Sequence, residues 1–154
     1  MRRTTSEKAE RKAVGMIPKF RGMLLSGEWV IGNLTIIPKT IDVVEEGYYI
    51  SNKVGMPFAF KVRPETVGMS TGREDKHGVE IFEGDIVRFS VFNYYGDQKN
   101  SEMIGVVSYY KCDACFIVEN DTDYWEGKEL SGIFSTMTVI GNTHEHPELL
   151  KEKP

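Results

Sequence analysis

Five acidic side chains fall within twelve residues of this chain, at Glu74, Asp75, Glu80, Glu83 and Asp85. Such a density could hold a divalent cation on carboxylate oxygens, or supply a general acid and a general base. The spacing matches no cation-binding loop, and turn chemistry accounts for both aspartates. In Asp75-Lys76-His77-Gly78 the glycine supplies a positive φ and the aspartate bonds nearby backbone. In Glu83-Gly84-Asp85 the chain turns again, with Asp85 placed to accept backbone N–H groups ahead of a strand from Ile86. Period-two alternation sets Glu80 opposite Ile81. The run reads as structural, and no catalytic or metal-ligating residue is assigned to it.

Cys112-x-x-Cys115 is the second arrangement with chemical capacity. A tetrahedral zinc site needs two further ligands, and the nitrogen donors available are His77, His144 and His146. The last two are two residues apart, not the usual three to five. A redox pair would want its first thiol at a helix N-terminus, where the dipole lowers the pKa, whereas this pair lies between strand-forming stretches. Two cysteines packed as small hydrophobes are the simpler reading, with neither metal nor obligatory disulfide. No Gly-x-Ser-x-Gly nucleophile elbow occurs, and Gly68-Met69-Ser70-Thr71-Gly72 lacks the lysine and helix of a phosphate loop. The sequence thus predicts no catalytic set and no cofactor.

Aromatic pairs remain, at Tyr94-Tyr95, Tyr109-Tyr110 and Tyr124-Trp125. They could stack on bases or anchor a protein partner; alternatively, one member of each faces the core and the other covers a sheet edge. Charge weighs between these. Residues 1–15 carry five cations against two acids, or +3, so the overall −4 leaves −7 on the remainder. An acidic body repels nucleic-acid phosphate. The candidate partner surface is therefore read as protein-binding and comprises Trp29, Arg73, Tyr109, Tyr110 and Trp125, with self-association or another protein as the partner. In the alternative, a nucleic-acid-binding barrel, Arg2, Arg3, Arg11 and Lys12 would meet phosphates. A third reading, a small enzyme or metal protein, would need the 74–85 acids or the cysteine pair to converge in a pocket.

The elements that must position these residues are mostly strands. The chain has 154 residues and 17 aromatics (8 Phe, 7 Tyr, 2 Trp), enough length for one core and a composition tilted toward β. Strands are predicted over 20–25, 29–31, 34–37, 40–50, 58–62, 86–92, 103–110, 116–119 and near 133–140. Predicted breaks fall at Gly32-Asn33, Glu45-Glu46-Gly47 and Gly141-Asn142. Pro147 to Lys151 reads as one terminal helical turn capped by His146. Residues 1–15 form a basic polar extension, a short helix or a frayed tail, ahead of a single β domain over 16–154. No apolar run is long enough to span a membrane and no apolar stretch follows the basic N-terminus. Few cysteines fit a reducing cytoplasm.

Four stretches in order resemble the YopX family of small phage and prophage proteins. They are Lys19-Phe20-Arg21-Gly22, Gly27-Glu28-Trp29-Val30 with Gly32, the run Thr66 to Val87, and Val139-Ile140-Gly141-Asn142 with Pro147-Glu148-Leu149-Leu150. Together they frame residues 19–151. The resemblance implies an all-β or mainly β fold, a small mixed-sheet barrel or sandwich, a bacterial, phage or prophage origin and a cytoplasmic location, with a host or phage protein as partner beside self-association; it brings no activity with it. This chain departs from the family pattern at Arg73, usually apolar, and at His77 and His146, usually Asn. The sequence reading is thus a non-enzymatic accessory protein that acts through a protein surface.

Overall fold

Alternation of apolar and polar residues is strongest after Gly84, and the longest pairing forms there. The computed structural model describes residues 17–52, 58–92, 100–120, 128–129 and 136–151. Strand β7 (Asp85–Phe92) pairs with β8 (Asn100–Tyr110) from Ile86–Val106 to Phe92–Asn100. Strands β9 (Cys115–Glu119), β10 (Lys128–Glu129) and β11 (Thr138–Asn142) complete a five-stranded sheet in the order β10-β9-β8-β7-β11. The first half of the chain builds a six-stranded sheet from β1 (Phe20–Met23), β2 (Trp29–Ile37), β3 (Gly47–Ser51), β4 (Phe60–Val62), β5 (Gly68–Glu74) and β6 (Glu80–Phe82), ordered β4-β3-β2-β1-β5-β6. Every pairing among the described residues is antiparallel.

The mainly β expectation holds, as two open sheets rather than a closed barrel. The six-stranded sheet nevertheless curls. The Arg63 amide, just past β4, donates to the Met23 carbonyl of β1 at 2.9 Å, and the Met23 amide donates to Thr66 Oγ1. Ile50 and Val62, both buried, pack over Gly22 of β1, where a Cβ would crowd them. The main core is Ile81, Val87, Phe89, Val107, Val118 and Met137. Ile81 belongs to β6, so one fully buried side chain of the six-stranded sheet anchors the core of the other. Burying a side chain of this kind stabilises by about 1.5–3 kcal/mol.

Several predicted boundaries shift for physical reasons. Gly32-Asn33 does not break β2. Up to Gly32 the strand pairs with β1, and from Asn33 onward with β3, so the signal marks a change of partner. A Cβ at Gly32 would collide with the Ser51 carbonyl of that new partner, which is why glycine stands there. The tight turn expected at Glu45-Gly47 lies earlier, at Ile41–Val44, closed by backbone bonds of 2.9 and 3.0 Å in the two directions. Gly141-Asn142 does close β11, which ends at Asn142 after a register shift between Val139 and Gly141. Pro147–Leu150 is a 3-10 turn as expected of a terminal helical turn, but His146 makes no side-chain cap; its amide donates to the Asn142 carbonyl instead. The terminal extension and Trp125 lie outside the described residues.

Candidate functional site

Of the acids with chemical capacity, Asp85 sits at the corner where the chain passes from one sheet to the other. Only Glu83 and Gly84 separate β6 from β7. The Glu83 amide donates to Met69 in β5, and the Gly84 amide donates to Val107 in β8. The Gly84 carbonyl accepts the Thr143 amide beyond β11 at 3.0 Å. One dipeptide thus hydrogen-bonds to both sheets, and the positive φ of Gly84, 86°, permits it.

Beneath this corner Arg21 reaches across from β1. Its Nη1 lies 2.6 Å from Asp85 Oδ1, with both side chains largely buried, and Nη2 donates to the Glu83 carbonyl at 3.3 Å. The other Asp85 oxygen accepts the Phe82 amide at 2.8 Å. The guanidinium lies between two rings, 4.8 Å from the Trp29 centroid and 5.0 Å from that of Phe82. Burial pushes the Asp85 carboxyl above its ordinary range, against the pull of Arg21 and the Phe82 amide.

Trp29 extends the network outward. Its indole N–H donates to Glu145 Oε2 at 2.9 Å, and the buried Asn142 donates to the same oxygen at 2.6 Å. Asn142 Oδ1 in turn accepts the His144 and Glu145 amides, so one amide side chain closes the turn after β11. The Asn142 and Trp29 hydrogen bonds hold the Glu145 carboxyl below its usual range.

Asp75 makes a second seam. Oδ1 accepts the His77 and Val79 amides within its own hairpin, as turn chemistry predicts. Oδ2 accepts the Val139 amide of β11 at 3.0 Å, and the Lys76 amide donates to Met137. Burial raises the Asp75 pKa, but the three backbone N–H groups outweigh it and hold the carboxyl below its ordinary value. These bonds also cover the outer edge of β11, one answer to the hazard of an open edge strand.

All four stretches singled out in the sequence feed these two seams: Arg21, Trp29, Asp75 with Asp85, and Val139 with Asn142. The YopX protein family model matches residues 19–151. The chain belongs to the YopX family. It is also similar to protein EF1440 from Enterococcus faecalis, known as a crystal structure, at 27% identity over 88% of this chain and 99% of that one, with a TM-score of 0.47. No curated protein matches the chain.

Within this YopX-family fold the five acids do not converge. Asp75 and Asp85 serve backbone and Arg21; Glu80 accepts Lys19 at 2.8 Å and Ser70 at 2.6 Å. Among the described residues no group of three or more His, Cys, Asp or Glu is placed to hold a metal ion. Cys112 is exposed and Cys115 half-buried at the β8–β9 hairpin, and neither forms a disulfide. Of the proposed partner surface, Trp29 is half-buried against Arg21, and Arg73 is exposed near the end of β5. Tyr109 and Tyr110 are 37% and 44% exposed on β8, with Tyr109 edge-on to Phe116 at 5.3 Å. The sequence assigns no role to Arg21 or Asn142: Arg21 pairs with residues more than sixty positions away, which no local spacing announces, whereas Asn142 bonds its own turn at His144 and Glu145, an Asx-type signal that local reading could have found.

Proposed function

We propose that this chain is a non-enzymatic protein-interaction module of a phage or prophage, acting in the cytoplasm of a bacterial host. The observation that carries the reading is a division of labour in the side chains. The buried carboxylates Asp75 and Asp85 are engaged in the seams between the sheets, while large apolar residues stand exposed at one end of the six-stranded sheet. Ile36 is 51%, Ile41 54% and Val43 94% exposed. Apolar residues grouped on a surface favour a protein contact, and the −7 body argues against phosphate as the ligand.

The test is capture from host cells expressing tagged wild-type chain or its Val43→Lys variant, followed by rebinding of each captured protein in purified form. A host or phage protein retained by wild type, lost with the variant and rebinding directly is the expected result. Retention indifferent to Val43, or salt-sensitive nucleic-acid binding in its place, would remove the reading, the latter in favour of a nucleic-acid-binding domain.

A further inference from the structure

The turn at Ile41–Val44 is unusually well held for an exposed apolar tip. Its ends exchange two backbone hydrogen bonds, and Asp42 sits at φ 51°, a conformation that costs a non-glycine residue free energy. Thr40 Oγ1 accepts the Glu46 amide at 3.2 Å, and Glu45 pairs with Lys61 of β4 at 2.8 Å. At the apex Val43 is exposed, so the turn presents a rigid aliphatic knob whose ordering cost is met before any contact forms.

Across the Glu45–Lys61 pair lies an open groove of about 440 Å³ lined by Leu25, Lys61, Val62, Arg63, Pro64 and Glu65. Leu25, at its margin, is 80% exposed, and the Arg63 guanidinium donates to the Leu25 carbonyl at 3.1 Å, which fixes the rim. The chain's own turn does not fill this groove, since Val43 remains 94% exposed. The charges suit one another between copies. Asp42 and Glu46 flank the knob and Arg63 rims the groove, while Lys39 before the turn matches Glu65.

We propose that two copies of this chain associate by a reciprocal exchange, the Ile41–Val44 turn of each seated in the Leu25–Val62–Pro64 groove of the other. The knob leads into β3, and the groove is lined largely by β4, its neighbour in the sheet, and the residues just after it, so in this arrangement one two-fold axis relates both contacts. This rests on the protein-interaction reading and names a second copy as the occupant.

Sedimentation equilibrium of the full chain over a range of concentrations tests it with Val43→Lys, Leu25→Glu and their equimolar mixture. Both positions are exposed, and unchanged thermal midpoints serve as the control for folding. Wild type is expected to form a concentration-dependent dimer, and each single variant to weaken it by about tenfold or more. The mixture is expected to recover association, because lysine at 43 then meets glutamate at 25. A strict monomer, a dimer indifferent to both variants, or a mixture no better than its components would each overturn the exchange. The capture of a different protein through Val43 would stand regardless, so the two readings fail separately.

Discussion

Arg21 of β1 and Asp85 of β7 meet at 2.6 Å across the seam of the two sheets, with the guanidinium held between Trp29 and Phe82. A buried pair of this kind is costly to assemble but more costly to break, because removing one partner strands the other charge. Arg21→Met and Asp85→Asn are each expected to destabilise by about 3–5 kcal/mol in denaturant unfolding. The double variant should lose less than the two single losses combined. Additive losses would show that the ion pair is not the coupled unit.

Asp75 gives the seam an acid sensitivity whose sign is fixed by its bonds. Its folded pKa lies below the ordinary 3.8, so its stabilisation is present above that value and is lost as pH falls through the folded pKa. Asp85 is opposite in sign. Its folded pKa is raised above 3.8, so between those two values stability declines as pH rises. Asp75→Asn is expected to cost at least ~2 kcal/mol near neutrality, since it weakens charge-assisted bonds to three amides. The gap from wild type should narrow below pH 3.8. A constant gap down to the acid transition would mean that Asp75 contributes no linked proton.

Glycines at the two turns are needed for conformation rather than space. Gly78 has φ 79° and Gly84 φ 86°, and a Cβ at either would meet nothing closer than 3.6 Å. Replacing either with Val is expected to cost about 1–3 kcal/mol through backbone strain alone. Gly68 differs: a Cβ there would collide with the Glu83 carbonyl at the corner, so even Gly68→Ala should displace the two sheets' junction. Thermal unfolding of the three variants separates strain from collision. Unchanged midpoints for both turn variants would deny glycine its special role there.

Much of this fold is legible in local spacing, and what is not has a physical reason. The Asp75 and Asp85 turns could be read because their bonds to His77, Val79 and Phe82 span four residues or fewer. The burial of Ile81 beside a half-buried Glu80 follows from period two. The Arg21–Asp85 pair and the Asp75–Val139 bond could not be read, because each joins residues more than sixty apart through a topology that spacing does not encode. Trp29 illustrates the same gap. An aromatic in a strand is equally suited to a partner surface, and only the position of Arg21 reveals that its ring covers a cation within the fold.

The cysteine pair is expected to be chemically separable. Cys112 is exposed and Cys115 half-buried, so a thiol reagent should label Cys112 first. The double serine variant should fold with a loss within about 1 kcal/mol, the usual range for substitutions away from core features. Elemental analysis of protein purified without chelator should give substoichiometric zinc. One zinc per chain, lost together with structure on chelation, would make the hairpin a metal site.

Asn142 offers the most discriminating single substitution. Its Oδ1 accepts two amides at 3.0 Å while its Nδ2 donates to Glu145 Oε2 at 2.6 Å. Asn142→Asp keeps both amide bonds but sets a second carboxylate against Glu145. Like charges so close cannot both ionise freely, and one folded pKa must rise above its unfolded value. Stability from a raised carboxyl is present at low pH and lost as pH rises through the folded pKa. The variant should therefore be less stable than wild type at neutral pH and approach it as pH falls toward the ordinary glutamate value of 4.5. In a Glu145→Gln background the same substitution should lose most of its pH dependence, because the opposing charge is gone. A defect of equal size at every pH, or one that survives Glu145→Gln unchanged, would show that Asn142 acts on the turn backbone alone and that the Trp29–Glu145–Asn142 network carries no electrostatic coupling.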